Sequence, residues 1–429
     1  MHIEMICTGE EVLSGQIVDT NAAWVAQRLL EHGEELRRRV TVGDRMADLV
    51  GAFTSAAGQA SVVLVNGGLG PTSDDLSSEA IAQAMGVGLE LHQGWLATMT
   101  EMFARRGRPM AAINRKQAML PVGAVMIDNP VGTACGFRIL WRGTWFVFTP
   151  GVPLELKRMM EEQVLPWMCD EFGLAPKMPL HRLLTIGQGE SQLAHILDDL
   201  PLPAGVELGY RASLPYIELK LMQRRDVALQ VWETLLEQIR ERIGDALVGE
   251  NVLSVPDAVH RLLSEQSLTL ATAESCTGGM VASQLVDFPG SSCYLLGGWI
   301  TYSNRAKQAE LGVDERVLAQ YGAVSLEAAV GMAAGAKQKA GTDLAISITG
   351  IAGPDGGSPD KPVGTVAFAL AHSGGVEAQM LRLGSRQRNQ VRLLAATVAL
   401  DMVRRHLLGL PVMAEYGYFE RVGAKSIKA

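Results

Sequence analysis

Aromatic side chains make up only 5% of this 429-residue chain, while glycine is abundant at 46 residues. That balance argues against an all-β sandwich and suits α/β layers joined by glycine-rich turns. Cysteine is scarce: Cys7, Cys135, Cys169, Cys276 and Cys293 are odd in number and widely separated, with no Cys-x-x-Cys spacing. Neither a zinc site nor a disulfide framework is indicated, and a reduced, cytoplasmic protein is expected. Positive charge is in deficit, 38 basic against 46 acidic residues for a net charge of −8, and the sequence pI is about 5.6. This gives no electrostatic case for nucleic acid or an anionic membrane. No stretch approaches the ~18 consecutive apolar residues of a membrane span. The opening MHIEMICTGEEVLSG lacks the basic region and apolar run of a secretory signal.

What the chain has instead is alternation, over a length that corresponds to about three domains. Over residues 1–170, strands at 3–8, 37–42 and 61–65 alternate with helices at 22–30, 46–57 and 76–85. That is the pattern of βαβ units around a mostly parallel sheet. Residues 154–167 read as an amphipathic helix and 171–179 as a linker. Residues 178–250 form a small α+β unit with little ionisable constellation, for which a spacer or subunit-contact role is expected. Residues 253–410 return to α/β alternation, with strands at 268–272, 295–302, 344–348, 362–370 and 378–383. Residues 411–429 have no strong pattern and read as a mobile tail. The small-residue helix at 328–340 and the middle unit are candidate contacts of a homodimer.

Two glycine-rich strand exits stand out. In NGGLGPTSDD (Asn66–Asp75), Gly67, Gly68 and Gly70 let backbone approach a ligand closely, and Thr72 and Ser73 supply hydroxyls. Asp74 and Asp75 add carboxylates that a divalent cation would bridge. Ligands of open α/β sheets bind at such strand ends, although acids in a first helical turn also serve as plain caps. TGEEVLSG (Thr8–Gly15) is a similar exit carrying Glu10 and Glu11, and reaches the same crevice if its strand neighbours residues 61–65. The second exit, LTLATAESCTGGM (Leu268–Met280), runs from a strand through a polar turn and Gly278-Gly279 into a helix. Hydroxyls and free N–H groups meet there at a helix N-terminus, where the dipole favours negative charge. The stretch reads either as an exposed Ser275 nucleophile or as an ordinary capped helix.

A serine nucleophile needs a base. His260, His372 and His406 adjoin no glycine-rich loop, so a Ser-His-Asp triad is poorly supported. Lys307, following Tyr302 at a strand-to-helix turn, is the better candidate, because burial lowers a lysine pKa; otherwise it is a surface residue. Cys276 competes with Ser275 and ranks below it, as free cysteines are mostly small buried hydrophobes. TGIAGPDGG (Thr349–Gly357) offers backbone N–H groups and a hydroxyl to a phosphate or oxyanion. Arg388 and Arg392, four apart, either clamp a phosphate or face solvent.

Together these motifs resemble the CinA family. Residues 1–170 are similar to its molybdopterin-binding-like domain of MoaB/MogA type, through TGEEVLSG, GGLGPTSDD, NPVGTA (Asn129–Ala134) and PGVP (Pro150–Pro153). Residues 178–250 resemble its KH-like insert. Residues 253–408 resemble its C-terminal amidohydrolase domain, through AESCTGG, TYSNRAK (Thr301–Lys307), GAVS, TGIAGPDGG and KPVGTV. The resemblance implies hydrolysis of nicotinamide mononucleotide (NMN) to nicotinic acid mononucleotide and ammonia, in pyridine nucleotide salvage and without a cofactor. It implies Ser275 as nucleophile, Lys307 as base and Tyr302 as a supporting hydroxyl. Glu274, Thr277, Gly278, Gly279, Thr349, Gly350, Gly353, Arg388 and Arg392 would surround the nucleotide. It also implies a metal-dependent ADP-ribose pyrophosphatase in the N-terminal domain. Co²⁺ or Mg²⁺ would sit on Asp74 and Asp75, with Glu10, Asn129 and the Gly67–Ser73 turn beside it. The alternative is a pterin- or nucleotide-binding scaffold without chemistry.

The chain departs from the family pattern at four places. Cys7 stands before Thr8 where Gly or Ala is usual, Asn66 where Thr is usual, and Leu154 where Ser is usual. GSRQRNQVR is longer by two than the usual spacing, which leaves Arg386 and Arg388 as alternatives for holding the phosphate. Association with DNA through the KH-like insert is opposed by the acidic balance.

Overall fold

The computed structural model describes residues 1–175 and 180–428. It divides into two compact units, Met1–Pro179 and Leu180–Ala429. The linker expected at 171–179 lies partly outside the described residues, and its start belongs to the helix Leu165–Phe172.

In the first unit the sheet order is Leu36–Val42, Ile3–Thr8, Val62–Asn66, Thr144–Thr149, Gly136–Trp141, Val125–Ile127. The first four strands are parallel and the last two return antiparallel. Side chains alternate between faces. Ile3, Met5, Cys7, Leu64 and Val147 pack with Val25, Leu29 and Met159. Ile6, Val63, Val65, Phe146 and Phe148 pack with Leu49, Phe53 and Trp95. Burial of both faces is why Val62–Asn66 reads as a nearly unbroken apolar run. The first strand pairs with the third from Ile3↔Val62 to Cys7↔Asn66, so the two exits share one crevice.

The second unit holds two sheets. One is four-stranded and antiparallel, ordered Val206–Ser213, Tyr216–Gln223, Leu180–Ile186, Leu247–Glu250. The other is six-stranded, ordered Leu295–Ile300, Leu270–Glu274, Leu344–Gly350, Thr365–His372, Gly375–Arg382, Glu420–Lys428. Its first three strands are parallel and the rest antiparallel. No break in packing occurs near residue 250: Leu184, Ile186 and Val248 share one core with Leu394, Val398 and Val403 of the helix Arg388–Leu407. The α+β unit is therefore not a free spacer. A buried network reinforces the junction. Arg404 donates to Asp401 Oδ1 at 2.7 Å and to the Leu247 carbonyl at 2.9 Å, and Tyr416 donates to Asp401 Oδ2 at 2.7 Å.

Two expectations are corrected here. The tail is ordered: Glu420–Lys428 pairs with Gly375–Arg382, and Val412, Ala414 and Tyr416 are buried. Its strand escapes a periodicity reading because it is an edge strand diluted with Arg421, Lys425 and Lys428, as edges commonly are. The helix Leu326–Ala340 spends its small face inside the fold. Ala328, Ala329, Met332, Ala333 and Ala336 pack inward, and Gly335 lies so close to the Leu311 carbonyl that a Cβ has no room. That face is not free for a homodimer. No helix among the described residues is long and apolar enough to cross a membrane.

Removing one member of the buried network strands the others. Asp401→Ala leaves the Arg404 guanidinium uncompensated and should lower unfolding stability by about 3–5 kcal/mol. Tyr416→Phe, which keeps the ion pair, should cost about 1–2 kcal/mol. Urea unfolding of the full chain compares them; equal losses would contradict the ranking.

Candidate active site

The strand Leu270–Glu274 lies between two parallel neighbours, and all three end at one side of the sheet. Its exit is the turn carrying Ser275. Glu274 is 1% exposed, and its carboxylate accepts from the N–H groups of Gly279 (2.9 Å), Val281 (3.1 Å) and Ala282 (3.0 Å). It caps the helix Met280–Val286 from inside. Glu274 was expected beside the nucleotide; with its carboxylate engaged in this way it is a cap instead. Gly278 and Gly279 take φ of 60° and 92°, the left-handed region that only glycine enters cheaply, so the turn can fold back over the strand end.

The neighbouring strand Leu295–Ile300 exits through Thr301 and Tyr302. Ser303 then caps the helix Asn304–Leu311 by accepting from Ala306 N–H. Lys307 sits in that helix's first turn and is 1% exposed. Its Nζ donates to Ser275 Oγ at 3.0 Å and to the Thr301 carbonyl at 2.7 Å. Burial pulls its pKa down to about 8. Ser275 is 8% exposed. Burial pushes the Cys276 thiol up to about 12, which leaves it a poor nucleophile at neutral pH. The N–H groups of Cys276 and Thr277, just after the serine, point to the Cys276 sulfur, a weak acceptor. Two such donors following a nucleophile can stabilise an oxyanion.

Around this pair, Arg388 donates to Tyr302 Oη at 2.9 Å and to the Gly353 carbonyl at 2.5 Å. Arg392 donates to the Thr277 carbonyl at 2.8 Å. Arg386 turns back to the Leu383 carbonyl at 3.0 Å, so Arg388 is the arginine that joins Tyr302. Tyr302 is 62% exposed, so its contact with Arg388 lies at the surface while Lys307 is buried. Gly353 has φ of 79°, and a Cβ there would meet Val363 at 2.6 Å. Gly350 ends its strand opposite Val366. The Thr349 hydroxyl, expected near phosphate, donates instead to the Ala323 carbonyl at 2.7 Å and braces the adjoining turn. The Thr277 hydroxyl is fully buried without a hydrogen-bond partner.

In the first unit, a cleft of about 570 Å³ opens at the shared strand exits. Thr8, Gly67, Gly68, Gly70, Asp74 and Asp75 line it. Gly67 has φ of 109°, and a Cβ there would meet Thr8 Oγ1 at 2.6 Å, so only glycine closes the turn this tightly. Several expected residues do other work. Asn129 is fully buried and saturated by Ala134, Glu155, Val131 and Gly132, so it braces its own loop. Glu10 pairs with Arg45 at 3.2 Å and is not part of the cleft lining, although its N–H donates to Asp44; Glu11 lines the cleft instead. Thr72 and Ser73 are exposed and outside the lining, and Thr72 N–H donates to Asp75 at 2.9 Å. Asp44, absent from the sequence reading, also lines the cleft. Burial raises its pKa, and the charges of Glu11, Asp74 and Glu10 raise it further. No local signal marks Asp44, because tertiary pairing alone brings it there. Asn66 accounts for its own departure from the family pattern: it donates to the Pro150 carbonyl at 2.6 Å and accepts from Asn21 at 2.9 Å, tying three loops together.

Three family models match successive parts of the chain. The probable molybdopterin binding domain matches residues 4–169, the damage-inducible protein CinA KH domain 181–249, and the CinA C-terminal domain 253–407. The chain is similar to nicotinamide-nucleotide amidohydrolase PncC of Shewanella oneidensis, 53% identical over 416 residues that cover 97% of this chain and 98% of that protein. A CinA-like protein of Shewanella baltica matches at 53% identity with the same coverage, 97% and 98%. Among solved structures, the competence/damage inducible protein CihA from Agrobacterium tumefaciens is 39% identical, with a TM-score of 0.35, covering 36% of this chain and 95% of that chain. The α/β class, with molybdopterin-binding-like, KH-like and CinA C-terminal domains, holds along the chain.

The cap at the serine turn generates a prediction. Glu274→Ala frees three N–H groups and should lose at least about 2 kcal/mol of stability, while Glu274→Gln, keeping one acceptor oxygen, should lose less. Thermal unfolding of the two variants beside the parent chain measures the order.

Proposed function

Because the chain belongs to the CinA family, as its 53% identity across 97% of its length to a curated relative establishes, we propose that it hydrolyses the carboxamide of NMN to nicotinic acid mononucleotide and ammonia. The observation that carries this reading is the 3.0 Å contact between Lys307 Nζ and Ser275 Oγ in a buried setting. A lysine whose pKa is drawn down to about 8 is neutral in an appreciable fraction of molecules near neutral pH. The neutral amine takes the serine proton, and Oγ forms a bond to the carboxamide carbon. The N–H groups of Cys276 and Thr277, which now face only the weakly accepting Cys276 sulfur, receive the developing oxyanion. On collapse the C–N bond breaks, and the Lys307 ammonium returns its proton to the departing nitrogen, which leaves as ammonia. Water, losing a proton to Lys307, then attacks the acyl-serine ester; the C–Oγ bond breaks, Lys307 returns that proton to Ser275 Oγ, and the acid is released. Arg388 and Arg392 hold the nucleotide phosphate, with Tyr302 fixed by Arg388.

Ser275→Ala should lower ammonia release from NMN at least ~10³-fold, and Lys307→Met similarly. Activity of the parent should rise with pH through about 8, since the proposed base works only when neutral. Full turnover by Ser275→Ala, or a profile flat from pH 6 to 9, would overturn the assignment.

A second activity on a pyrophosphate such as ADP-ribose is favoured by one observation in the first unit. Asp44, Glu11 and Asp74 face one cleft closely enough for their charges to raise the Asp44 pKa. A divalent cation would relieve that repulsion and supply charge neutralisation of a pyrophosphate; the three carboxylates do not close into a ligand trio by themselves, so the pyrophosphate's own oxygens would complete its coordination. The holding residues are then Asp44, Glu11 and Asp74. Asp75 is partly spent on Thr72. Asp44→Asn should abolish Co²⁺- or Mg²⁺-dependent ADP-ribose cleavage and leave NMN turnover intact. Cleavage that persists in Asp44→Asn would remove the metal proposal, and parent protein inert with either metal would favour a binding scaffold.

A further inference from the structure

Far from Ser275, at the other end of the six-stranded sheet, His372, Glu377 and His406 converge. His372 ends the strand Thr365–His372, Glu377 lies on the strand Gly375–Arg382 across a tight hairpin, and His406 is in the last turn of the helix Arg388–Leu407. His372 lies beyond Ala371, which pairs with Ala345 near the start of Leu344–Gly350; the catalytic turn adjoins that strand's opposite end. One ligand atom from each of the three side chains lies within 4.8 Å of the others, and this is the only such trio of His, Cys, Asp or Glu among the described residues. The two imidazole centroids are 4.5 Å apart. His372 Nε2 is 3.4 Å from Glu377 Oε2, yet it is buried and makes no hydrogen bond. The side chains of Glu377 and His406 make no other hydrogen bond among the described residues.

We propose that His372, Glu377 and His406 form a binding site for a borderline divalent transition metal of the Zn²⁺ class, which pins the hairpin to the closing helix. Two imidazoles and one carboxylate are the ligand set of such ions, whereas Mg²⁺ and Ca²⁺ call for oxygen. Three protein ligands leave a fourth position for water, and all three side chains are only half-buried, so the ion has a way in. Coordination through His372 Nε2 requires the ring proton on Nδ1. The hydrogen bond that Gly374 N–H now donates to Nδ1, at 3.1 Å, is then given up. That loss is the size of one ordinary hydrogen bond and weakens binding by about tenfold or less. The ligands come from one hairpin and from the end of the closing helix, remote from Ser275, so the bound ion stabilises the fold rather than the reaction.

The test uses the untagged full chain after chelator treatment. In the Asp44→Asn chain, which removes the cation site proposed in the first unit, Co²⁺ titration followed by visible absorption should give tetrahedral bands that saturate at one equivalent, and Zn²⁺ should raise the unfolding temperature while excess Mg²⁺ does neither. Added to that chain, His372→Gln and His406→Ala should each abolish the bands. Glu377→Gln should weaken binding at least about tenfold. If His406→Ala does not fold, His406→Gln, closer in size, takes its place. Bands or Zn²⁺ stabilisation that survive in both histidine variants would overturn the site, as would absence of Co²⁺ bands in the Asp44→Asn chain at millimolar metal.

Discussion

One carboxylate, that of Glu274, holds the catalytic half together. Its side chain fastens the start of the following helix, while its carbonyl accepts from Thr301 N–H at 2.8 Å. The Thr301 carbonyl in turn accepts from Lys307, and Lys307 reaches Ser275, the residue after Glu274. The contacts close into a ring spanning two strand exits and two helix starts. The ring has an electrostatic cost. The helix N-terminus, which could have bound an anion, is already occupied by the protein's own charge. On the function proposed above, an anionic substrate group would fall to the guanidinium groups of Arg388 and Arg392.

Much of this arrangement was legible in the residues. Strand runs, glycine turns and caps are local, and they located both strand exits and the Ser275–Lys307 pairing. The sequence did not reveal which side chains the fold would consume. Glu274, Thr349 and Asn129 are polar residues in glycine-rich motifs, the usual mark of ligand contact, yet each is tied up by backbone groups that only the folded chain brings near. Asp44 failed in the opposite direction, since nothing local distinguishes it from a solvated acid. The edge strand Glu420–Lys428 was hidden by the charges that keep such edges from pairing with other chains.

The two candidate sites use glycine alike and charge differently. At Gly67 and at Gly278-Gly279, positive φ lets a turn close on its own strand. In the first unit the walls carry the carboxylates of Glu11, Asp44 and Asp74, a set that disfavours a bare phosphate. In the second, Arg388 and Arg392 lie beside a buried amine, which makes the surroundings of Ser275 positive instead. Two strand-exit sites of the same backbone type thus reach opposite electrostatics through a few side chains.

The pairing of Glu420–Lys428 with Gly375–Arg382 has a consequence for biosynthesis. The six-stranded sheet cannot be completed until residue 428 has left the ribosome. While the chain is being made, Gly375–Arg382 remains an open edge next to nascent neighbours, in the interval when unpaired strands are most prone to aggregate. The first unit closes its own sheet with residues long since translated, so the catalytic half is the one that a growing cell must shelter.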